Sequence, residues 1–145
     1  MVFSAVSGVQ APVATTTPKI EMQYRENAPK KEEISKKISI EEYVRTYFQD
    51  IPIMVDIAYC ESRFRQFDKD GEIFRGKVNN KDVGVMQINE FYHLDTAEEA
   101  NYNIYTLEGN TAYARKLYEK FGTKPWNSSR PCWGPRSESQ LAKTD

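Results

Sequence analysis

The acidic side chain best placed for chemistry is Glu61, near the end of a helix predicted to start around Pro52. Glu61 continues a stripe of helical spacing that includes Met54 and Ala58. The adjacent apolar stripe consists of Ile53, Ile57, Cys60 and Phe64. A carboxyl beside an apolar face loses part of its hydration, which raises its pKa, and the negative end of the helix dipole acts in the same direction. Glu61 would then be a general acid that protonates a leaving oxygen, and a solvated boundary residue is the alternative.

The groups that follow Glu61 along the chain form an ordered pattern. They are Ser62, the segment Gly84-Val85-Met86-Gln87-Ile88-Asn89, Asn103-Ile104, a helix ending in Tyr118-Glu119-Lys120-Phe121-Gly122, and then Trp126, Ser129, Cys132 and Trp133. In this order and spacing, roughly residues 40–134 resemble the lysozyme-like superfamily, in particular bacterial lytic transglycosylases with a soluble-lytic-transglycosylase (SLT) type domain. The Ala-Tyr-Asn-x-Gly segment that many such domains carry on a late helix is absent from the sequence. The ending is more similar to short variants of the domain and to resuscitation-promoting factors.

The resemblance assigns roles to individual residues. It implies that Glu61 is the catalytic acid, that Ser62 orients its carboxyl or the substrate, and that Met86 and Gln87 line a glycan cleft. The amide of Gln87 can both donate to and accept from sugar hydroxyl and acetamido groups. Core packing is the alternative for Met86, and a buried amide that holds a loop is the alternative for Gln87.

The resemblance also implies a helical lobe and a small β-region with the cleft between them. It leaves open which aromatic residue does the work of the missing tyrosine. Tyr113, Tyr118 and Trp126 are the candidates for substrate contact, and core packing is the alternative for each of them.

The number of carboxylates at the site determines the reaction. Retaining and inverting glycosidases use two acidic groups. The resemblance implies that one is enough here: Glu61 protonates the glycosidic oxygen between MurNAc and GlcNAc, then takes the proton from the muramyl 6-hydroxyl, which gives a 1,6-anhydro sugar. Asp82, two residues before Gly84, is the best-placed second carboxylate, with a turn-forming aspartate as the alternative. The other candidates are Asp68, Asp70 and Glu72.

The resemblance implies a peptidoglycan lytic transglycosylase that acts on glycan strands, and we expect it to be a monomer. The alternatives are a weakly active or inactive cell-wall-binding or growth-signalling module, and a lysozyme-type or chitin-active glycoside hydrolase. An intact Glu61 favours an enzyme, because a binding module has no need of a half-buried acid. The 20 basic and 21 acidic residues give a net charge of −1, so the overall charge does not indicate nucleic-acid binding. The basic excess over residues 111–136 fits either a solvated face or attraction to an anionic wall polymer.

No cofactor and no metal ion are expected. Asp68-Lys69-Asp70-Gly71 is similar to part of a calcium loop. Aligning Gly71 with the invariant sixth position, however, places Gln66 first and Lys77 twelfth, where carboxylates are needed. His93 is the only histidine, so the sequence contains no histidine cluster for zinc. No apolar run approaches the roughly 18 residues of a transmembrane span.

The fold class predicted is α+β, a mostly helical lysozyme-like domain with a small β-hairpin region. Residues 1–38 are expected to be a disordered leader or tether, or the remnant of a signal peptide. Residues 39–135 are expected to form the catalytic domain, and residues 136–145 a polar tail.

Local signals predict several element boundaries. Capping boxes predict helix starts at Ser39 and Thr96, and Asp70-Gly71 predicts the turn of the hairpin. A long helix is expected over residues 106–121 with Gly122 at its end. Residues 125–133 are expected to be a closing loop.

Cys60 and Cys132 are the only cysteines, and we expect them to form a disulfide that pins the closing loop against the catalytic helix. Two reduced thiols in a cytosolic core are the alternative. Disulfides persist in oxidising compartments. The expectation is therefore an extracytoplasmic protein that is secreted, periplasmic or associated with the cell wall.

Overall fold

The computed structural model describes residues 38–141. Its elements are α1 (Ile40–Tyr47), α2 (Pro52–Ser62), β1 (Asp82–Val83), β2 (Ile88–Asn89), α3 (Glu90–Glu99), α4 (Leu107–Phe121), a 3-10 helix (Lys124–Ser129) and α5 (Arg130–Leu141). The predicted α+β class, mostly helical with a small β-hairpin region, is confirmed. The leader expected over residues 1–38 lies outside the described residues except for its last position.

The first two helices begin where the sequence predicts. The Ser39 hydroxyl accepts a hydrogen bond of 3.1 Å from the amide of Glu42 and so caps α1. Pro52 occupies the first turn of α2. α2 ends at Ser62 because Arg63 adopts a left-handed conformation with φ of 57°. Phe64, which was expected to continue the apolar stripe, therefore lies beyond the helix.

The sheet forms later in the chain than predicted. β1 and β2 pair antiparallel, with Asp82 opposite Asn89 and Val83 opposite Ile88. Around Asp70-Gly71 the structure has only an isolated bridge between Phe67 and Ile73. The side chain of Asp68 explains the difference, because its Oδ1 accepts from the amides of both Asp70 and Glu72. These side-chain bonds compete with a regular strand ladder at this turn.

The predicted helix start at Thr96 is wrong, because Thr96 lies inside α3. The cap is instead Asn89, whose side-chain oxygen accepts from the amides of Phe91 and Tyr92 at 3.1 and 3.3 Å. The prediction for α4 is confirmed: the Thr106 hydroxyl caps its start, and Gly122 with φ of 61° ends it.

Residues 125–133, expected to be a closing loop, and residues 136–141 of the expected tail are helical instead, while the rest of that tail lies outside the described residues. The 3-10 helix and α5 continue to Leu141, even though Pro135 lies within α5. Contacts with α2 hold this segment in place. The predicted disulfide between Cys60 and Cys132 is present, with the two Cα atoms 5.9 Å apart. On the same two helices the Ser137 hydroxyl donates to Asp56 at 3.2 Å.

Side chains from α1 to α5, the 3-10 helix, both strands and the turn between them form the core. Its fully buried members include Val44, Phe48, Met54, Ile57, Ala58, Val83, Val85, Met86, Ile104 and Ala114. In the described part of the chain, no helix is both long enough and apolar enough to cross a membrane.

Candidate active site

The turn between β1 and β2 is the part of the fold that positions the site. Gly84 begins it with φ of +73°. A Cβ atom at this position would lie 2.5 Å from Nδ2 of Asn110 and 2.7 Å from Oε1 of Gln66, which is closer than atoms can approach. Glycine is therefore required both for the conformation and for the close contact. Gln87, at the other end of the turn, has φ of 50°.

The buried side-chain amides of Gln66 and Asn110 hold this turn by hydrogen bonds to its backbone. Oε1 of Gln66 accepts from the amide of Val85 at 2.8 Å. Oδ1 of Asn110 accepts from the amide of Met86 at 2.9 Å, while its Nδ2 donates to the carbonyl of Val83 at 3.0 Å. Buried backbone groups that lack a partner are costly, so these bonds allow an irregular segment to lie within the core.

Ser62 and Trp126 complete the support of the turn. The Ser62 hydroxyl donates to the carbonyl of Val85 at 2.8 Å, and Nε1 of Trp126 donates to the carbonyl of Met86 at 2.9 Å. Ser62 borders a cavity but is only 1% exposed, so its hydroxyl ties α2 to the turn rather than reaching a ligand. The Met86 side chain is 0% exposed and belongs to the core. Core packing, the alternative for Met86, therefore describes its side chain, and Ser62 acts on the turn through its hydroxyl.

Glu61 is half-buried at the end of α2, and its carboxyl faces the C-terminal segment. The hydroxyl of Ser129 donates a 2.6 Å hydrogen bond to its Oε1. Burial raises the pKa of Glu61, the bond from Ser129 opposes that rise, and the negative charge of Asp82 adds to it. The net effect is a pKa above the ordinary glutamate value. The site can therefore hold a proton at a pH where an exposed glutamate has lost it.

Two adjoining cavities meet at Glu61. The volume of one is about 280 Å³ and that of the other about 620 Å³. Both are lined by Glu61, Asp82, Gln87 and Ser128. The smaller one continues past Asn89, Tyr92, His93 and Trp126, whereas the larger one continues past Arg63, Arg65, Phe74 and Lys77. The Glu61 carboxyl thus borders both cavities. The smaller one is lined by aromatic, amide and imidazole side chains, whereas the larger one is lined by three basic side chains.

Asp82 and Gln87 lie in the same cleft as Glu61. Oδ1 of Asp82 accepts from Nδ2 of Asn89 at 2.7 Å, which couples the two strands. Nε2 of Gln87 donates to the carbonyl of Gly84 at 2.9 Å. Gln87 therefore stabilises its own turn and also borders both cavities, so the two interpretations of this amide are compatible.

The three aromatic candidates have different locations. Trp126 borders the smaller cavity, although it is only 3% exposed. Tyr113 is 2% exposed, lies 3.2 Å from Nδ1 of His93 through its hydroxyl, and borders a different cavity from the two at Glu61. Tyr118 packs against the core. The structure brings only Trp126, among these three, to the cleft at Glu61.

The residues that build the site by long-range hydrogen bonds were not predicted from the sequence. Ser129 was recognised as part of the motif order but not as the partner of Glu61. Asn110 carried a usable signal, because it lies three residues after Leu107 on the buried face of α4, where a polar residue needs a partner. Gln66 carried no comparable signal.

Comparisons with known protein families, curated proteins and solved structures each give no match to this chain. The resemblance drawn from motif order therefore remains a hypothesis. Among residues 38–141, no group of three histidine, cysteine, aspartate or glutamate side chains is arranged to hold a metal ion.

Proposed function

We propose that the chain is a peptidoglycan lytic transglycosylase, of the SLT-type lysozyme-like family, with Glu61 as its single catalytic acid and base. One observation carries the proposal: a half-buried carboxyl with a raised pKa lies where two open cavities meet. A polymer can then pass on both sides of the proton donor. General acids work best when their pKa lies near the operating pH, which burial of Glu61 favours.

The reaction needs no water molecule. Protonated Glu61 donates its proton to the glycosidic oxygen between MurNAc and GlcNAc, and the bond from that oxygen to C1 of the muramyl residue breaks. The resulting Glu61 carboxylate then accepts the proton of the muramyl 6-hydroxyl. The 6-oxygen attacks C1 and closes the 1,6-anhydro ring, so the enzyme returns to its protonated form.

Neighbouring groups support both halves of this cycle. The Ser129 hydroxyl, 2.6 Å from Oε1, stabilises the transient Glu61 carboxylate and restricts its orientation. Gln87 borders both cavities and offers amide groups to sugar substituents. The indole of Trp126 lines part of the smaller cavity, and its N–H donates to the carbonyl of Met86 in the turn.

We place the protein outside the cytoplasm as part of this proposal. The disulfide between Cys60 and Cys132 requires an oxidising environment to persist. Peptidoglycan lies in the same kind of environment.

A lysozyme-type hydrolase is the second candidate, and one observation favours it. Asp82 borders both cavities together with Glu61, and its charge acts on the Glu61 carboxyl. In that alternative Asp82 stabilises the glycosyl cation or activates a water molecule.

The products distinguish the candidates. Purified peptidoglycan is digested in water enriched in oxygen-18, and the fragments are analysed by mass spectrometry. A transglycosylase yields anhydromuropeptides that contain no oxygen-18, whereas a hydrolase yields reducing ends that contain it. Binding of the protein to peptidoglycan without release of any product would favour a binding module and would refute the proposal.

A further inference from the structure

We propose that Arg63 and Arg65 form a carboxylate-binding subsite beside Glu61, which holds a free carboxylate of the peptide attached to the glycan strand. This inference rests on the proposed function and specifies the substrate further. Both arginines line the larger cavity, about 620 Å³ in volume, that opens from Glu61. Lys77 lines the same cavity, so three cations border it, together with the carboxyl groups of Glu61 and Asp82.

Arg63 and Arg65 differ from most other arginines in the described part of the chain because they form no ion pair. Ion pairs with carboxylates are formed by Arg45, Arg75, Arg115 and Arg136. Arg63 and Arg65 have no such partner within residues 38–141. Arg130 also lacks one, but it does not border the cavity. The unpaired cations that face the cleft are thus available to an anionic ligand.

Both guanidinium groups are held in place by aromatic rings. The Arg63 guanidinium carbon lies 4.1 Å from the ring centroid of Tyr59, and that of Arg65 lies 4.0 Å from the centroid of Phe74. Nε of Arg65 also donates to the carbonyl of Ser62 at 2.7 Å. Such stacking reduces the conformational entropy that a long side chain loses when it binds a ligand.

The backbone here adopts a conformation that is uncommon for residues with side chains. Arg63 and Phe64 have φ of 57° and 59°, directly after the helix that carries Glu61. The amide of Arg65 is fixed by a 3.0 Å bond to the Ser62 hydroxyl. Left-handed non-glycine residues cluster at functional sites, where the surrounding structure maintains them. In this protein the turn directs two arginines to the cleft instead of continuing α2.

The chemistry of the ligand follows from the guanidinium group. Its planar set of donors matches a carboxylate in a two-bond arrangement and has no comparable match in an uncharged sugar. The repeating peptides of a peptidoglycan strand carry free carboxylates, whereas chitin oligomers carry none. The subsite would therefore favour peptide-bearing strands over uncharged glycans such as chitin oligomers.

Equilibrium binding to the full chain tests the inference, with Glu61→Gln in every protein so that ligands stay intact. The ligands are a soluble peptide-bearing glycan, the same glycan after enzymatic removal of the peptides, and uncharged chitotetraose. The variants are Arg63→Gln with Arg65→Gln, Arg63→Glu alone, and Lys69→Gln as a control for loss of one charge. Lys69 is exposed and does not border the cavity. Melting temperatures verify that each variant is folded.

We expect the double variant and Arg63→Glu to bind the peptide-bearing glycan about 10–100-fold more weakly, because charged hydrogen bonds are lost. Their binding of the peptide-free glycan and of chitotetraose should stay unchanged, as should all binding by Lys69→Gln. Equal weakening on all three ligands, or no weakening, would overturn the inference. Equal weakening on both glycans but not on chitotetraose would assign the cations to the sugar's own lactyl carboxylate and also refute it. Failure of the wild type to cleave walls would count against the proposed function alone, because the binding comparison needs no turnover.

Discussion

Ser129 donates a 2.6 Å hydrogen bond to Glu61 and thereby joins the end of the 3-10 helix to the last turn of α2. The two residues are 68 positions apart in the sequence. The carbonyl of Trp126, 3.1 Å from the Ser129 hydroxyl, is a second and more distant acceptor for the same proton. A hydroxyl that donates to a carboxylate favours the charged form. Ser129 therefore limits how far burial raises the Glu61 pKa.

Replacing Ser129 should shift the pH dependence of turnover. Ser129→Ala removes a bond that lowers the Glu61 pKa, so the pKa should rise further. In the proposed reaction the acid form of Glu61 is the active one, so the alkaline limb of kcat against pH should move to higher pH. Ser139→Ala is the control, because its hydroxyl bonds to the carbonyl of Arg136 and not to Glu61. An alkaline limb at the same pH in both variants would contradict this role.

The raised pKa of Glu61 also makes folding stability depend on pH. A carboxyl whose folded pKa exceeds its unfolded value contributes stability that is fully present below the unfolded pKa, ordinarily 4.5, and is lost as pH rises through the folded pKa. Glu61→Gln has no such dependence. Its melting temperature relative to wild type should therefore be higher at pH 8 than at pH 4. Exposed Glu119→Gln serves as the control, and an equal difference at both pH values would exclude the linkage.

Glu61→Gln should abolish turnover while sparing the fold. The amide keeps the size of the side chain but cannot donate the proton, and general acid catalysis contributes typically about 10²–10⁴-fold. Release of soluble fragments from purified peptidoglycan measures the loss, and circular dichroism verifies the fold. Glu119→Gln should retain wild-type rates. Near-normal activity of Glu61→Gln would refute the proposed role of Glu61 as the catalytic acid.

Asp82→Asn should reduce turnover much less than Glu61→Gln. The transglycosylase route needs no second carboxylate, and asparagine keeps an oxygen that can accept from Asn89 as Oδ1 does now. The substitution also removes a charge that raises the Glu61 pKa, so the alkaline limb should move to lower pH. Initial rates across pH values measure both effects. Equal losses in the two variants would favour hydrolysis assisted by Asp82.

Local signals predicted elements that are stabilised within a few residues. Ser39 caps α1, Pro52 starts α2, and Gly122 ends α4, because each acts on backbone groups in its own turn. The same reasoning failed at Thr96, where a stronger cap, Asn89, lies seven residues earlier. Two capping residues competed there. Asn89, whose side-chain oxygen accepts from two backbone amides, is the one that caps the helix.

Long-range contacts account for what the sequence did not predict. α5 forms despite Pro135 because Cys132 is bonded to α2 and Trp133 is buried. Tertiary packing of this kind commonly outweighs helix propensity. The periodicity of a four-residue turn does not reveal which side chain faces the core, so cleft lining and core packing were both open for Met86, and its side chain lies in the core. Glu61 was found from its neighbours in sequence, whereas its partner Ser129 is brought to it only by the fold.

The disulfide between Cys60 and Cys132 should be essential for stability and should affect the site. It closes a 72-residue separation, for which loop-closure entropy predicts roughly 4 kcal/mol of stabilisation. Replacing both cysteines with alanine should lower the urea midpoint by roughly 1–4 M, given the usual slopes for small domains. Because Cys132 lies three residues after Ser129, a loosened α5 should also weaken the bond to Glu61 and move the alkaline limb as Ser129→Ala does. Dithiothreitol should reproduce both effects in the wild type and leave the double variant unchanged. A midpoint that is insensitive to both treatments would show that packing between α2 and α5 alone holds the C-terminal helix in place.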